Sequence, residues 1–301
     1  MNKKFYYFTL AVALLSLNSC NNENEGKDTP SDSSKYISVS TQIADMTRVA
    51  TNSNGEQEFE NNDQISVYAW TGDKNTAPAK SERVVDNSIN TLNGNSWVAT
   101  PQMLWETPTD KHYFIGIWPS SATAIDDLTN GDYTFDVTNQ SESDLLVAVN
   151  TNGLSSKDNP VPLVFDHVMA KLKVNLTYRN QWGGTPTIDE VTVDNVATKA
   201  TVNYLTKVVT ASDNNREKIK LPVVNENTSY TSIVIPQTGI TTIDIKIGQS
   251  YFTYQHTNDI KLESGKYTTI NLIVGRDKIT LGSISISNWE EGERFDGEAL
   301  N

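Results

Sequence analysis

The chain is predicted to be all-β: two antiparallel β-sandwich domains in tandem, transthyretin-like or Greek-key in their connections. Three observations predict this. From Tyr36 onward apolar residues recur with a period of two. The alternating runs are short and are parted by turn clusters: Asn93-Gly94-Asn95, Asn130-Gly131-Asp132, Asp213-Asn214-Asn215 and Ser264-Gly265. No long stretch carries the 3.6-residue period of a helix. A hydrophobic content of 37% suits thin β-layers, in which alternate residues are buried.

The chain opens with the basic Met1-Asn2-Lys3-Lys4, followed by an apolar run from Phe5 to Leu17 and then Asn18-Ser19-Cys20. The run is too short to span a bilayer, which takes about 20 residues, and has the length of a signal-peptide core. Residues 1–19 therefore read as a signal peptide. A small residue before the cut and a thiol after it resemble a bacterial lipoprotein signal. In such signals the thiol, here Cys20, carries lipid and becomes the new N-terminus. Several acyl chains on one residue anchor a protein firmly without spanning the membrane. Cys20 is the single cysteine, so no disulfide forms within one chain.

Residues 20–35 hold the lipidated cysteine and a polar stretch (Asn21–Lys35) without a large apolar side chain. Nothing there can be buried, so it is expected to be a disordered tether with an r.m.s. reach of roughly 20 Å. Without the signal about 280 residues remain, enough for one large or two ordinary domains.

The strands follow in order. Ile37, Val39, Thr41 and Ile43 alternate with Ser38, Ser40 and Gln42; Ile65, Val67 and Ala69 repeat the pattern. Tyr113–Trp118 and Leu145–Val149 are denser and read as central strands buried on both faces. The polar, proline-bearing stretch Asn150–Pro162 is the expected division. It gives an N-terminal sandwich at 36–158 and a C-terminal one at 159–301. In the second half Leu172, Val174, Leu176 and Tyr178 alternate, as do Val191 and Val193, Ile233 and Ile235, and Ile243, Ile245 and Ile247. Ile270–Val274 and Ile279, Leu281, Ile284 and Ile286 close the pattern.

A net charge of -13 disfavours nucleic acid and anionic lipid head groups as partners. The three histidines, His112, His167 and His256, lack a second His or Cys at ligand spacing, so no metal is expected. No nucleophile elbow, phosphate loop or zincin motif occurs. The pairs Asp126-Asp127 and Glu290-Glu291 read as solvated charge, and His167 as a hydrogen-bonded structural residue. Neither catalysis nor a cofactor is expected. Trp70, Trp97, Trp105 and Trp118 leave one alternative, a surface glycan-binding lipoprotein that stacks tryptophans on sugars, although tryptophan is more often core.

Three local sequences together resemble the fimbrillin family, the type V pilins of Bacteroidales. They are Thr47-Arg48-Val49 followed by Phe59–Tyr68, Val164–Leu172, and Gly265-Lys266-Tyr267 with Ile284–Gly292. The resemblance implies a structural pilus subunit that serves adhesion and is carried to the outer membrane as a lipoprotein. It also implies maturation by an arginine-specific protease, with a strand from the next subunit filling the groove left by the removed first strand. Carried onto this sequence, Arg48 is the expected cleavage residue and Tyr36–Ile43 the removable strand, with Ile37, Val39, Thr41 and Ile43 as its pocket-fillers. The expected partners are other pilin subunits and the outer membrane, through lipid on Cys20. After Trp289 only Phe295, Ala299 and Leu300 are apolar, and they do not alternate, which makes a poor donor strand and favours a tip, anchor or accessory role over a stalk.

Overall fold

Alternating apolar runs demand partners for their backbone groups, and four sheets supply them. The computed structural model of the chain describes residues 35–44, 59–136, 138 and 143–288. The first half gives β1 (Val39–Ile43), β2 (Gln64–Trp70), β3 (Val85–Asn93), β4 (Ser96–Thr100), β5 (His112–Trp118), β6 (Gly131–Thr134), β7 (Leu146–Leu154) and β8 (Val161–His167). The second half gives β9 (Ala170–Tyr178), β10 (Glu190–Ala197), β11 (Lys199–Asn203), β12 (Val208–Ala211), β13 (Arg216–Lys220), β14 (Val223–Asn225), β15 (Ser229–Val234), β16 (Gln237–Ile247), β17 (Ser250–Leu262), β18 (Lys266–Val274) and β19 (Ile279–Asn288). Among the described residues the largest sheet has seven strands in the order β1-β8-β7-β5-β2-β3-β4. A five-stranded sheet (β14-β15-β9-β18-β19), a four-stranded sheet (β13-β10-β16-β17) and a three-stranded sheet (β12-β11-β6) complete the fold.

The all-β expectation holds, and the dense runs 113–118 and 145–149 form strands buried on both faces, β5 and β7. Phe114, Leu146 and Ala148 join one core cluster, while Tyr113, Ile115, Ile117 and Val147 join another. The first cluster is closed by β1 and by Met103 and Trp105. The second is shared with the other half of the chain, including Leu172, Val174, Val193, Ile243 and Ile270. β2 is also covered on both faces, because its aromatic residues satisfy their polar tips. The Tyr68 hydroxyl donates to Asn87 Oδ1 (3.0 Å) and accepts from the Ile125 N–H (3.1 Å), and Trp70 Nε1 donates to the Asp73 carbonyl (2.9 Å).

β9 shows the plain alternation read from the sequence, with Leu172, Val174 and Leu176 inward and Lys171, Lys173 and Asn175 less buried. Among the described residues strand pairing is antiparallel except at β1 with β8 and β9 with β18. Parallel neighbours need a long crossover, and in both cases a large part of the chain intervenes.

The expected division after Asp158 falls inside the seven-stranded sheet, since β7 and β8 are antiparallel neighbours on either side of it. The chain leaves that sheet at His167. β6 pairs with β11 across the two halves, and Lys207 on the β11–β12 turn makes an ion pair with Asp166 of β8. Among the described residues no helix is long and apolar enough to cross a membrane.

Candidate functional site: the groove beneath the first strand

The four expected pocket-fillers lie together on one face of β1 and the residues leading into it. Ile37 is 1% exposed and Val39 6%, while Thr41 and Ile43 are half-buried; Ser38, Ser40 and Gln42 face outward. Period-two geometry puts all four on the cluster that holds Val161, Leu163 and Phe165 of β8, together with Met103 and Trp105. Burying two such aliphatic side chains is worth about 1.5–3 kcal/mol each.

β1 is held by its backbone along β8, and the residues that lead into it are held on the other side as well. It runs parallel to β8, with Val39 opposite Val161 and Ile43 opposite Phe165. The Val161 N–H donates to the Ser38 carbonyl (2.8 Å) and the Ala44 N–H to the Phe165 carbonyl (2.7 Å). On the other side the Ile37 N–H donates to the Met103 carbonyl (3.0 Å) and the Trp105 N–H to the Lys35 carbonyl (3.2 Å). Just before β8, the Asn159 side chain extends the contact to the residues that precede β1. Its Oδ1 accepts from the Ser38 N–H (2.9 Å) and its Nδ2 donates to the Tyr36 carbonyl (3.1 Å). The side-chain amide thus acts as an extra rung of the ladder.

One inward position is polar in character. Trp97 Nε1, on β4, donates to the Thr41 hydroxyl at 3.0 Å. Trp97 is held in place by Phe59, whose ring meets it edge-on at 5.3 Å and meets Phe165 at 5.2 Å. Asn159, Trp97 and Phe59 were not singled out as groove residues from the sequence. Their partners are far away along the chain, where no local period reaches.

Cys20 and Arg48 lie outside the described residues, as do residues 1–34 and Glu290-Glu291. The histidines are structural. His112 is fully buried; its Nε2 accepts from the Glu106 N–H (3.0 Å), so its Nδ1 carries the proton and donates to the Asp110 carbonyl (3.0 Å). His167 bonds Asp144 (3.0 Å), and His256 bonds the Tyr254 hydroxyl (2.6 Å). Asp126 is solvated and paired with Lys80, while Asp127 caps the turn at Thr129. The tryptophans of the glycan-binding alternative serve the core: Trp70 and Trp105 are buried, and Trp97 and Trp118 are half-buried against it. Their rings are taken up by packing, in line with the usual place of tryptophan in a core. Among the described residues no three His, Cys, Asp or Glu side chains converge as a metal site.

In this all-β chain β1 is thus an edge strand that plugs a groove. The fimbrillin-like family profile matches residues 47–289. This chain belongs to the fimbrillin-like family. No curated protein matches its sequence. Among solved structures it is similar to a candidate cell adhesion protein from Bacteroides uniformis, with a TM-score of 0.66 and 15% identity over 87% of this chain and 100% of that one. A fimbrial protein from Bacteroides vulgatus gives 0.51 and 14%, covering 84% and 99%. The tip fimbrial protein Mfa3 from Porphyromonas gingivalis, truncated at its C-terminus, gives 0.52 and 11%, covering 85% and 99%. At such identities the likeness is one of fold, while membership of the family marks the chain as a structural fimbrial subunit at the cell surface, in contact with other fimbrial subunits.

Proposed function

We propose that this fimbrillin-like subunit is anchored in the outer membrane through lipid on Cys20, is cut after Arg48, and then exchanges β1 for an extended strand of a neighbouring subunit. The observation that carries this reading is the seating of β1. It sits at the edge of its sheet, with Ile37 and Val39 almost fully buried in a groove floored by Val161, Leu163 and Phe165. A strand gripped by ladder bonds and alternate side chains can be replaced by another of similar pattern, which is the physics of β-augmentation. The same emptied groove would be an aggregation hazard if it stayed open, so replacement must follow release promptly. Adhesion then follows from the fibre that the subunits build.

The experiment is the intact mass and N-terminal sequence of the native protein from its own cell surface. An unlipidated N-terminus at Val49 supports maturation and exchange. A triacylated N-terminus at Cys20 in the assembled fibre overturns exchange for this subunit and makes it an anchor. Arg48→Ala should leave an unpolymerised lipoprotein, and normal assembly of that variant would contradict the assignment of the cut.

A further inference from the structure

Most of the groove is indifferent to everything but shape. Val161, Leu163, Phe165 and Met103 offer apolar walls, and the Asn159 amide grips only main-chain groups, the Ser38 N–H and the Tyr36 carbonyl. The third inward position is different. There Trp97 Nε1 is aimed at the occupant and finds the Thr41 hydroxyl at 3.0 Å. The indole has no freedom to turn away, because Phe59 packs edge-on against it and Phe59 is in turn wedged against Phe165 and Trp118 at 5.2 and 6.5 Å. An indole nitrogen can only donate. An occupant with an apolar side chain at this position would cover the N–H and leave it unpaired, and a site built around such a donor discriminates against ligands that lack the acceptor.

We propose that the groove selects its occupant through Trp97, admitting a strand that carries a hydroxyl acceptor at its third inward position. Resting on the strand-exchange reading above, this names the partner's chemistry. It is an extended segment of a neighbouring subunit with apolar residues at the first, second and fourth inward positions and Thr or Ser at the third. Shape and backbone bonding supply affinity, and the single polar contact supplies register. A slip along the groove by one inward position would set an aliphatic side chain against the indole N–H and the hydroxyl against an apolar wall.

The test uses the full chain treated with an arginine-specific protease in the presence of excess labelled peptide spanning residues 36–44, with capture read by co-elution of label and protein. Three peptides are compared: the native sequence, Thr41→Ser and Thr41→Val. The native and Ser peptides should be captured alike, and the Val peptide about tenfold more weakly, the factor expected for loss of one part-buried hydrogen bond. In a Trp97→Phe chain the preference for Thr over Val should vanish. Equal capture of the Val and native peptides by the unaltered chain overturns the selection by Trp97 and leaves strand exchange standing. Capture of none of the three overturns exchange itself, and the selection with it.

Discussion

Gly116 of β5 stands directly beneath the ring of Phe165 on β8: a Cβ added there would lie 2.8 Å from Phe165 Cζ and 3.1 Å from Leu163 Cδ1. The glycine is what lets the groove floor sit flush on the central strand. Gly116→Ala should therefore cost about 1–3 kcal/mol through overpacking, read as a lower midpoint in urea unfolding. Combining it with Phe165→Leu should recover part of that loss. An unchanged midpoint for Gly116→Ala alone would show that the floor yields freely.

Asn159 clamps β1 without touching its side chains. Asn159→Ala removes two hydrogen bonds, each worth about 0.5–1.5 kcal/mol, and both fall on the first strand. The expected outcome is local: about tenfold faster hydrogen exchange at the Ser38 amide, with exchange of β5 amides unchanged. Equal acceleration in both strands would mean that β1 does not open independently.

Arg83 is an internal tie rather than a surface charge. Its side chain is 1% exposed, and its guanidinium donates to Asp86 Oδ1 (2.7 Å) and to the carbonyls of Ile125 (2.7 Å) and Asp126 (2.8 Å). Replacement by Met strands these acceptors and should cost about 2–4 kcal/mol. Lys should rescue little of it, since a single ammonium cannot span the fork. Thermal unfolding of the two variants decides the matter, and parity of Lys with wild type would refute the tie.

Alkali should destabilise this protein through its buried tyrosines. Burial, with lesser contributions from Tyr68 and Asp132, pushes the Tyr204 hydroxyl up to about 12 from its ordinary 10.0. Burial likewise raises Tyr133, next to Asp144, and Tyr178. The folded values lie above the unfolded ones, so the stability is present in full below pH 10 and is lost as pH rises through the folded values. Tyr204 alone accounts for about 2–3 kcal/mol of that loss. The melting temperature should fall steeply above pH 10, in step with tyrosinate absorbance. A flat melting temperature across the window would contradict the burial of these rings.

Fold class and the groove's apolar occupants were legible because both rest on local alternation. Ile37, Val39 and Ile43 announce an inward face by spacing alone, and β9 does the same. The role of the Thr41 hydroxyl was not legible, because its donor, Trp97, is 56 residues away and no period links them. The sheet order was hidden for a similar reason. The polar, proline-bearing stretch Asn150–Pro162 looked like a division, yet it supplies the end of β7, the link and the start of β8, which are neighbours in one sheet. The burial of Trp70 and Trp105 depends on which sheet faces which, and strand spacing is silent on that.

The parallel pairing of β1 with β8 also orders the birth of the fold. β3 and β4 find each other through a hairpin, whereas the Ser38 amide waits for Asn159, 121 residues later. Closing so long a loop is slow and entropically costly, so β1 should dock last, onto a sheet already formed. A strand made early is then the last to become native, and its release would retrace a step the chain has already taken.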